Sequence, residues 1–206
     1  MKKCVMIALS LITAVSLMAC SNSSGTKSDQ KSAKQNQAAT SSNENKASKD
    51  TAVVYFSGTG NTKKVAEKLS EELPADIYEI EPAEAYTNDD LNYNDDSCRA
   101  NREMDDESAR PEIGSDLSAI LDYENIYIGY PIWWGTRPRI IQTFLETYDL
   151  SGKMIYTFCT SGGSGIEQSV EDLKKDYPEL NIAGGYRFTA NADSAEIQKG
   201  IKKLGK

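Results

Sequence analysis

Apolar positions in this chain fall into three regimes. Lys2 and Lys3 precede an apolar run from Val5 to Ala19, which stops at Cys20. Residues 21–50 then contain no Val, Ile, Leu, Met or aromatic residue and consist mainly of Ser, Asn, Gln, Lys, Ala and Thr. From Thr51 onward the apolar residues return in short bursts with two alternating rhythms. Thr51–Phe56 is a β-rich run, after which Val65, Ala66, Leu69 and Leu73 recur at helical spacing as far as Pro74. Ile77, Tyr78 and Ile80 predict a second strand, and Ile126–Tyr130 and Met154–Cys159 two more that are nearly all apolar. Helices are predicted over Pro138–Tyr148, with Ile140, Ile141, Phe144 and Leu145 inward, and over Ile166–Tyr177, with Ile166, Val170 and Leu173 inward. Pro138 suits a first helical turn, where its missing N–H costs nothing. Arg187–Ala190 closes a weaker fifth strand, and Ile197, Ile201 and Leu204 mark a terminal helix.

Strands without alternation belong in a sheet covered on both faces. Strands alternating with helices give a doubly wound α/β domain, in which ligands bind beyond the carboxyl ends of the strands. Three loops occupy such positions: 57–62, 131–136 and 160–165. All three are rich in Ser, Thr, Gly or Trp, and that coincidence is the main functional signal. A long acidic insertion, roughly Pro82 to Pro111, separates the second strand from the third. Its Asp89, Asp90, Asp95, Asp96, Asp105 and Asp106 read first as a solvated loop, while its length also fits a lid over the ligand edge.

The segments ahead of the domain read as processing and tethering sequence. A charged start followed by 15 mostly apolar residues is a secretory signal over residues 1–19. It is shorter than the roughly 20 residues that span a bilayer, although a marginal membrane anchor is the alternative. Leu17-Met18-Ala19-Cys20 resembles a bacterial lipobox, with Met18 larger than the usual residue. That resemblance implies lipidation of Cys20 and anchoring at the outer face of the cytoplasmic membrane, or plain secretion if the box is not used. Residues 20–50 cannot offset their ordering entropy by burial and are expected to form a disordered tether. As a flexible coil it would span about 30 Å root-mean-square.

Composition narrows the chemistry of the remaining domain, residues 51–206. The chain has no histidine, which excludes Ser-His-Asp and Cys-His catalysis and His-rich zinc sites. All 17 aromatics lie in the domain, whose 16 Lys/Arg against 28 Asp/Glu give it a net charge of −12. So acidic a domain argues against nucleic acid, whose phosphates demand Lys- and Arg-rich surfaces. Nor does Asn92–Ser97 have the spacing of an EF-hand loop, so no metal is predicted. Chemistry in such a domain belongs to a bound cofactor.

The loop Ser57-Gly58-Thr59-Gly60-Asn61-Thr62 runs from the first strand into the first helix. Its hydroxyls, glycine backbone and helix N-terminal amides suit a phosphate without any cation. It is not a P-loop, because GxxxxGK[ST] is absent, and the third glycine of a dinucleotide fingerprint falls at Lys63. Gly162-Gly163-Ser164-Gly165 only partly mimics a GxSxG elbow, because Ile166 takes the last glycine position. Together with Phe56, the first loop resembles the FMN-phosphate loop of flavodoxins. Gly129-Tyr130-Pro131-Ile132-Trp133-Trp134-Gly135 and Cys159-Thr160-Ser161-Gly162-Gly163-Ser164-Gly165 are similar to the family's two flavin-side loops, each after the corresponding strand.

The flavodoxin resemblance implies an open sheet of five parallel strands in the order 2-1-3-4-5, with helices on both faces. It implies that Ser57, Gly58, Thr59, Gly60, Asn61 and Thr62 bind the FMN phosphate. Pro131, Ile132, Trp133, Trp134 and Gly135 would flank the ring, and Thr160, Ser161, Gly162 and Gly163 its pyrimidine end. Neighbours in an extended segment point opposite ways, so one tryptophan is expected to stack, Trp134 by preference. The loop 160–165 lacks the tyrosine that many flavodoxins place over the flavin, which leaves that face to substrate, to solvent, or to Tyr86 or Tyr93. Acidic surroundings would disfavour negative charge on the flavin.

Cys98 and Cys159 would remain in the domain, either as a disulfide permitted by export or as two unpaired thiols. The first functional expectation is an exported FMN protein that carries electrons to or from a redox partner. A second is an NAD(P)H- or quinone-dependent FMN oxidoreductase acting on a small molecule. The third is a cofactor-free binding or surface interaction module.

Overall fold

In the computed structural model, residues 49–205 are described. The signal, Cys20 and the tether up to residue 48 lie outside them. Five strands form the sheet: β1 (Lys49–Tyr55), β2 (Asp76–Glu79), β3 (Tyr123–Pro131), β4 (Met154–Thr160) and β5 (Asn181–Phe188). Their order is β2-β1-β3-β4-β5, every pair is parallel, and the expected doubly wound topology is what the chain adopts. β1 starts two residues earlier than the composition break suggested, because Lys49 already pairs with Tyr123.

Period-two alternation of the strands distributes their side chains between two cores. Ala52, Val54, Phe56, Ile126 and Ile128 face the core shared with α3 (Arg139–Thr147) and α4 (Glu167–Asp176). Val53, Tyr55, Tyr127 and Phe158 face the core shared with α1 (Asn61–Glu72) and α5 (Ser194–Lys203). Burial on both faces is why the strands read as unbroken apolar runs. Among the described residues no helix is long and apolar enough to cross a membrane.

Three local expectations are revised. β5 spans Asn181–Phe188 instead of closing over Arg187–Ala190. Gly184 and Gly185 hide its strand signal, yet Gly185 is required: a Cβ there would come within 2.6 Å of Thr157 Oγ1 and 2.7 Å of Val170 on α4. Thr189 instead leaves the sheet, its N–H and hydroxyl donating to Glu196 at 2.8 and 2.9 Å. Pro138 lies one residue ahead of α3 in extended conformation, and its carbonyl accepts from the Ile141 N–H at 3.0 Å.

The third revision concerns the insertion, which is docked onto the body. It contains a short helix, α2 (Arg99–Asp105), whose N-terminus is capped by the Cys98 sulfur accepting from Asn101 N–H at 3.3 Å. Arg139 at the start of α3 donates to the carbonyls of Met104 and Glu103, at 2.8 and 3.2 Å. Arg110 forks onto both oxygens of Glu146, at 2.7 and 2.9 Å. Five of the six expected acidic residues are still solvated; Asp90 is half-buried. Cys98 and Cys159 are both buried free thiols, with no disulfide between them.

Candidate functional site

The site is built at the carboxyl ends of β1, β3 and β4. α1 begins after Gly60, whose φ of 80° is the left-handed conformation that glycine adopts freely and which offers no side-chain cap. Ser57 reaches across the loop to accept from the Lys63 N–H at 3.3 Å, and Asn61 donates to Thr59 Oγ1 at 3.3 Å. The Lys63 ammonium turns to Glu79 instead, at 2.9 Å, and that hydrogen bond raises its pKa. Glu79 also accepts from the Tyr55 hydroxyl at 2.7 Å, whose pKa burial raises first and Glu79 second. Thr62 is buried and shares a 2.8 Å hydrogen bond with Thr160 Oγ1, which ties the first loop to the loop after β4.

The loop after β3 is a hairpin. Trp133 and Thr136 exchange two backbone hydrogen bonds, each 3.0 Å, around Trp134 (φ 46°) and Gly135 (φ 83°). Two successive positive φ values describe a type I′ turn, which explains the glycine and brings Trp134 to the tip. The expectation of an extended segment is thereby corrected: the chain reverses, and both tryptophans line the same cavity. Trp133 packs edge-on to Phe56 and Tyr86 at 5.6 and 5.5 Å, while Trp134 remains 51% exposed. Two acids one turn apart on α4 hold the hairpin. Thr136 donates to Asp172 at 2.9 Å, and the buried Arg137 guanidinium donates to Asp176 at 2.5 Å.

Between these loops opens a cavity of about 470 Å³. Of the expected site residues, Gly58, Thr59, Pro131, Ile132, Trp133 and Trp134 line it. Ser57, Gly60, Asn61, Thr62 and Gly135 belong to the same two loops but do not line it. Thr160, Ser161, Gly162 and Gly163 are not part of its wall. Thr160 is buried against Thr62, and Ser161 is held by its own bond to the Ser164 carbonyl and by Arg187 Nε at 3.0 Å. Gly162 and Gly163 are exposed. The wall residues that the motifs did not mark are Leu91 and Ala100, joined by Tyr93; all three come from the insertion.

Tyr86, the other aromatic considered for the open face, is not part of this wall and packs against Trp133. Its hydroxyl donates to Glu103 and its ring lies under Arg99, 4.1 Å from the guanidinium carbon. Burial, reinforced by Glu103, raises its pKa. Cys159 sits beneath the site as an inert thiol, pushed by burial up to about 12. Among the described residues, no group of three or more His, Cys, Asp or Glu is placed to hold a metal ion.

Comparison with other proteins agrees with this architecture. A family model described as flavodoxin matches residues 50–204. A candidate flavoprotein from Bacteroides eggerthii shares 42% identity at a TM-score of 0.72, covering 76% of this chain and 98% of its own. A second, from Bacteroides uniformis, shares 40% at the same TM-score, covering 74% and 97%. A flavoprotein from Lactobacillus acidophilus, solved in complex with FMN, shares 28% at a TM-score of 0.60, covering 74% and 99%. No match was found among curated proteins. With the whole described domain matched and the five-stranded order in hand, the chain belongs to the flavodoxin family.

Proposed function

We propose that this chain binds FMN non-covalently and carries electrons to or from a protein partner while tethered by a lipidated Cys20 outside the cytoplasmic membrane. The observation that carries the reading is the cavity between the hydroxyl-rich loop 57–62 and the tryptophan hairpin. Its volume of about 470 Å³ falls within the range of small-molecule sites, roughly 300–1,000 Å³. Its wall is apolar and aromatic, as a planar ring requires, and Thr59 and the start of α1 offer hydroxyls and amides to a phosphate. Gly58 lies between Leu91 and Trp133: a Cβ there would touch them at 3.4 and 3.5 Å, ordinary contact distances. The donor set therefore fits FMN, which the Lactobacillus relative holds.

When bound, FMN supplies one- and two-electron transfer. The chain's own residues bind and orient it. Ser57, Thr59, Asn61 and the amides of Gly58 and Gly60 would take the phosphate; Trp133, Trp134 and the Pro131–Gly135 backbone would take the ring. Thr62 and Thr160 tie the two loops together, and Ser161, Gly162 and Gly163, outside the cavity wall, would meet the pyrimidine end only at its rim. No lining residue is cationic. The acidic surface suits a basic protein partner.

The absorbance spectrum of the purified chain tests this. A yellow protein, or one that takes up added FMN, is expected; a colourless chain that ignores FMN refutes the cofactor. Stopped-flow mixing of the loaded protein with NADPH should give no rapid bleaching, and rapid bleaching would favour the small-molecule oxidoreductase. Replacing Cys20 by Ser should release the protein from the membrane fraction of an expressing cell.

A further inference from the structure

The acidic insertion supplies an aromatic residue to the cavity. Tyr93 is 71% exposed, the most exposed of the large apolar side chains among the described residues, yet its backbone is pinned. Its N–H donates to the Leu91 carbonyl at 3.0 Å, and its own carbonyl accepts from the buried Asn101 side chain at 3.3 Å. Asn101 also donates to the Asp95 carbonyl at 2.7 Å, so one buried amide ties down both ends of the turn. Leu91, two residues away, abuts Gly58 in the loop 57–62. Segment 91–93 is thus fixed against the site while the Tyr93 ring stands at the cavity wall with little packed against it. Meanwhile the loop after β4 has no aromatic and contributes nothing to that wall.

We propose that Tyr93 stacks on the flavin ring, replacing from the insertion the aromatic that the loop 160–165 lacks. The inference rests on the FMN reading above and extends it. A phenol held in this way completes an aromatic enclosure with the tryptophan hairpin, and stacking on a planar heterocycle gives a large ring at the cavity wall a partner. It also bears on what reaches the cofactor. Tyr93 so placed denies a small-molecule donor flat contact with the ring, while a protein partner needs only the rim.

The test compares wild type with Y93F, Y93W and Y93A, reading the FMN dissociation constant and the visible absorption spectrum. Tyr93 is exposed, so none of these changes disturbs the core. Y93A should weaken FMN binding about tenfold, the scale of one lost stacking contact. Y93F should stay within about twofold of wild type. Y93W, with a more electron-rich ring, should retain affinity and add a long-wavelength charge-transfer shoulder. If wild type binds FMN while Y93A binds equally well and the Y93W spectrum is unchanged, this inference falls and the cofactor reading stands. If wild type takes up no FMN, both fall together.

Discussion

Replacing Asp176 by alanine isolates what holds the tryptophan hairpin in place. Arg137 is 3% exposed and its guanidinium pairs with Asp176 at 2.5 Å, with Glu146 near enough to feel its charge; among the described residues its Nε has no hydrogen-bond partner. Removing one member of a fully buried pair costs about 3–5 kcal/mol, because a charge is left without compensation. The Asp176 side chain is 43% exposed, so solvent screens the pair and water can reach the guanidinium once the carboxylate is gone. The expected loss for Asp176→Ala is therefore about 2 kcal/mol. Arg137→Met should cost only about 1 kcal/mol, since it removes the buried charge and leaves a solvated acid. The double variant should resemble Arg137→Met alone, giving a coupling of about 2 kcal/mol. Urea denaturation followed by far-ultraviolet circular dichroism measures the three stabilities. The chain has two tryptophans, both in this hairpin, so their emission in the native state reports on it alone. A red shift in Asp176→Ala is expected. Additive single costs, or a loss below about 0.5 kcal/mol for Asp176→Ala, would refute the clamp.

Other outcomes follow from the same geometry. Gly135→Ala places a Cβ at φ 83° and should cost about 1–2 kcal/mol in urea denaturation, although nothing lies within 4 Å of that Cβ to clash. Thr59 and Thr62 should separate by assay. Thr59→Ala, at an exposed position, weakens FMN binding severalfold with little change in melting. Thr62→Val strips the buried Thr160 hydroxyl of its 2.8 Å partner and lowers stability by about 1–3 kcal/mol. With no histidine, thermal stability should be flat between about pH 5 and 8. Below that range it should fall. Hydrogen bonds from Thr87, Ser97 and Ser108 hold Asp90, Asp95 and Asp106 under their usual values, and Arg110 does the same for Glu146. Their contribution is complete above about pH 5 and is lost as pH drops through the unfolded and then the lower folded values. Above about pH 9 stability should fall again, because burial raises Cys159 and Tyr130 to about 12 while the unfolded thiol and phenol ionise earlier. A step in melting temperature between pH 6 and 7 would contradict this account.

The fold was legible because parallel strands buried on both faces leave a signal that needs no context. Ile126–Tyr130 and Met154–Cys159 are nearly unbroken apolar runs, and both are strands of the sheet. β5 was misplaced because Gly185 answers to Thr157 on β4 and to Val170 on α4, contacts that sequence order does not reveal. The loop 57–62 was readable as a ligand loop from local chemistry alone. The hairpin was half readable: Trp134-Gly135 has the glycine of a tight turn, but a tryptophan at positive φ is rare enough that the segment read as extended.

What composition concealed was the wall of the cavity. Leu91 and Ala100 are scattered among Asp, Asn and Ser, so a reading by charge finds a solvated loop in which only Tyr93 stands out as a ring for the open face. Length was the better guide. From the end of β2 to the start of β3 the chain takes residues 80–122, and the one α-helix in that stretch has seven residues. A crossover of that size with so little regular structure must be held by side chains. Arg139 and Arg110 hold it by gripping α2 carbonyls and Glu146. Both arginines lie outside the stretch of acids that drew attention or at its very end, and neither belongs to a motif. The acids keep the outer surface wet, the arginines fasten the inner one, and the few apolar residues between them are left facing the ligand loop.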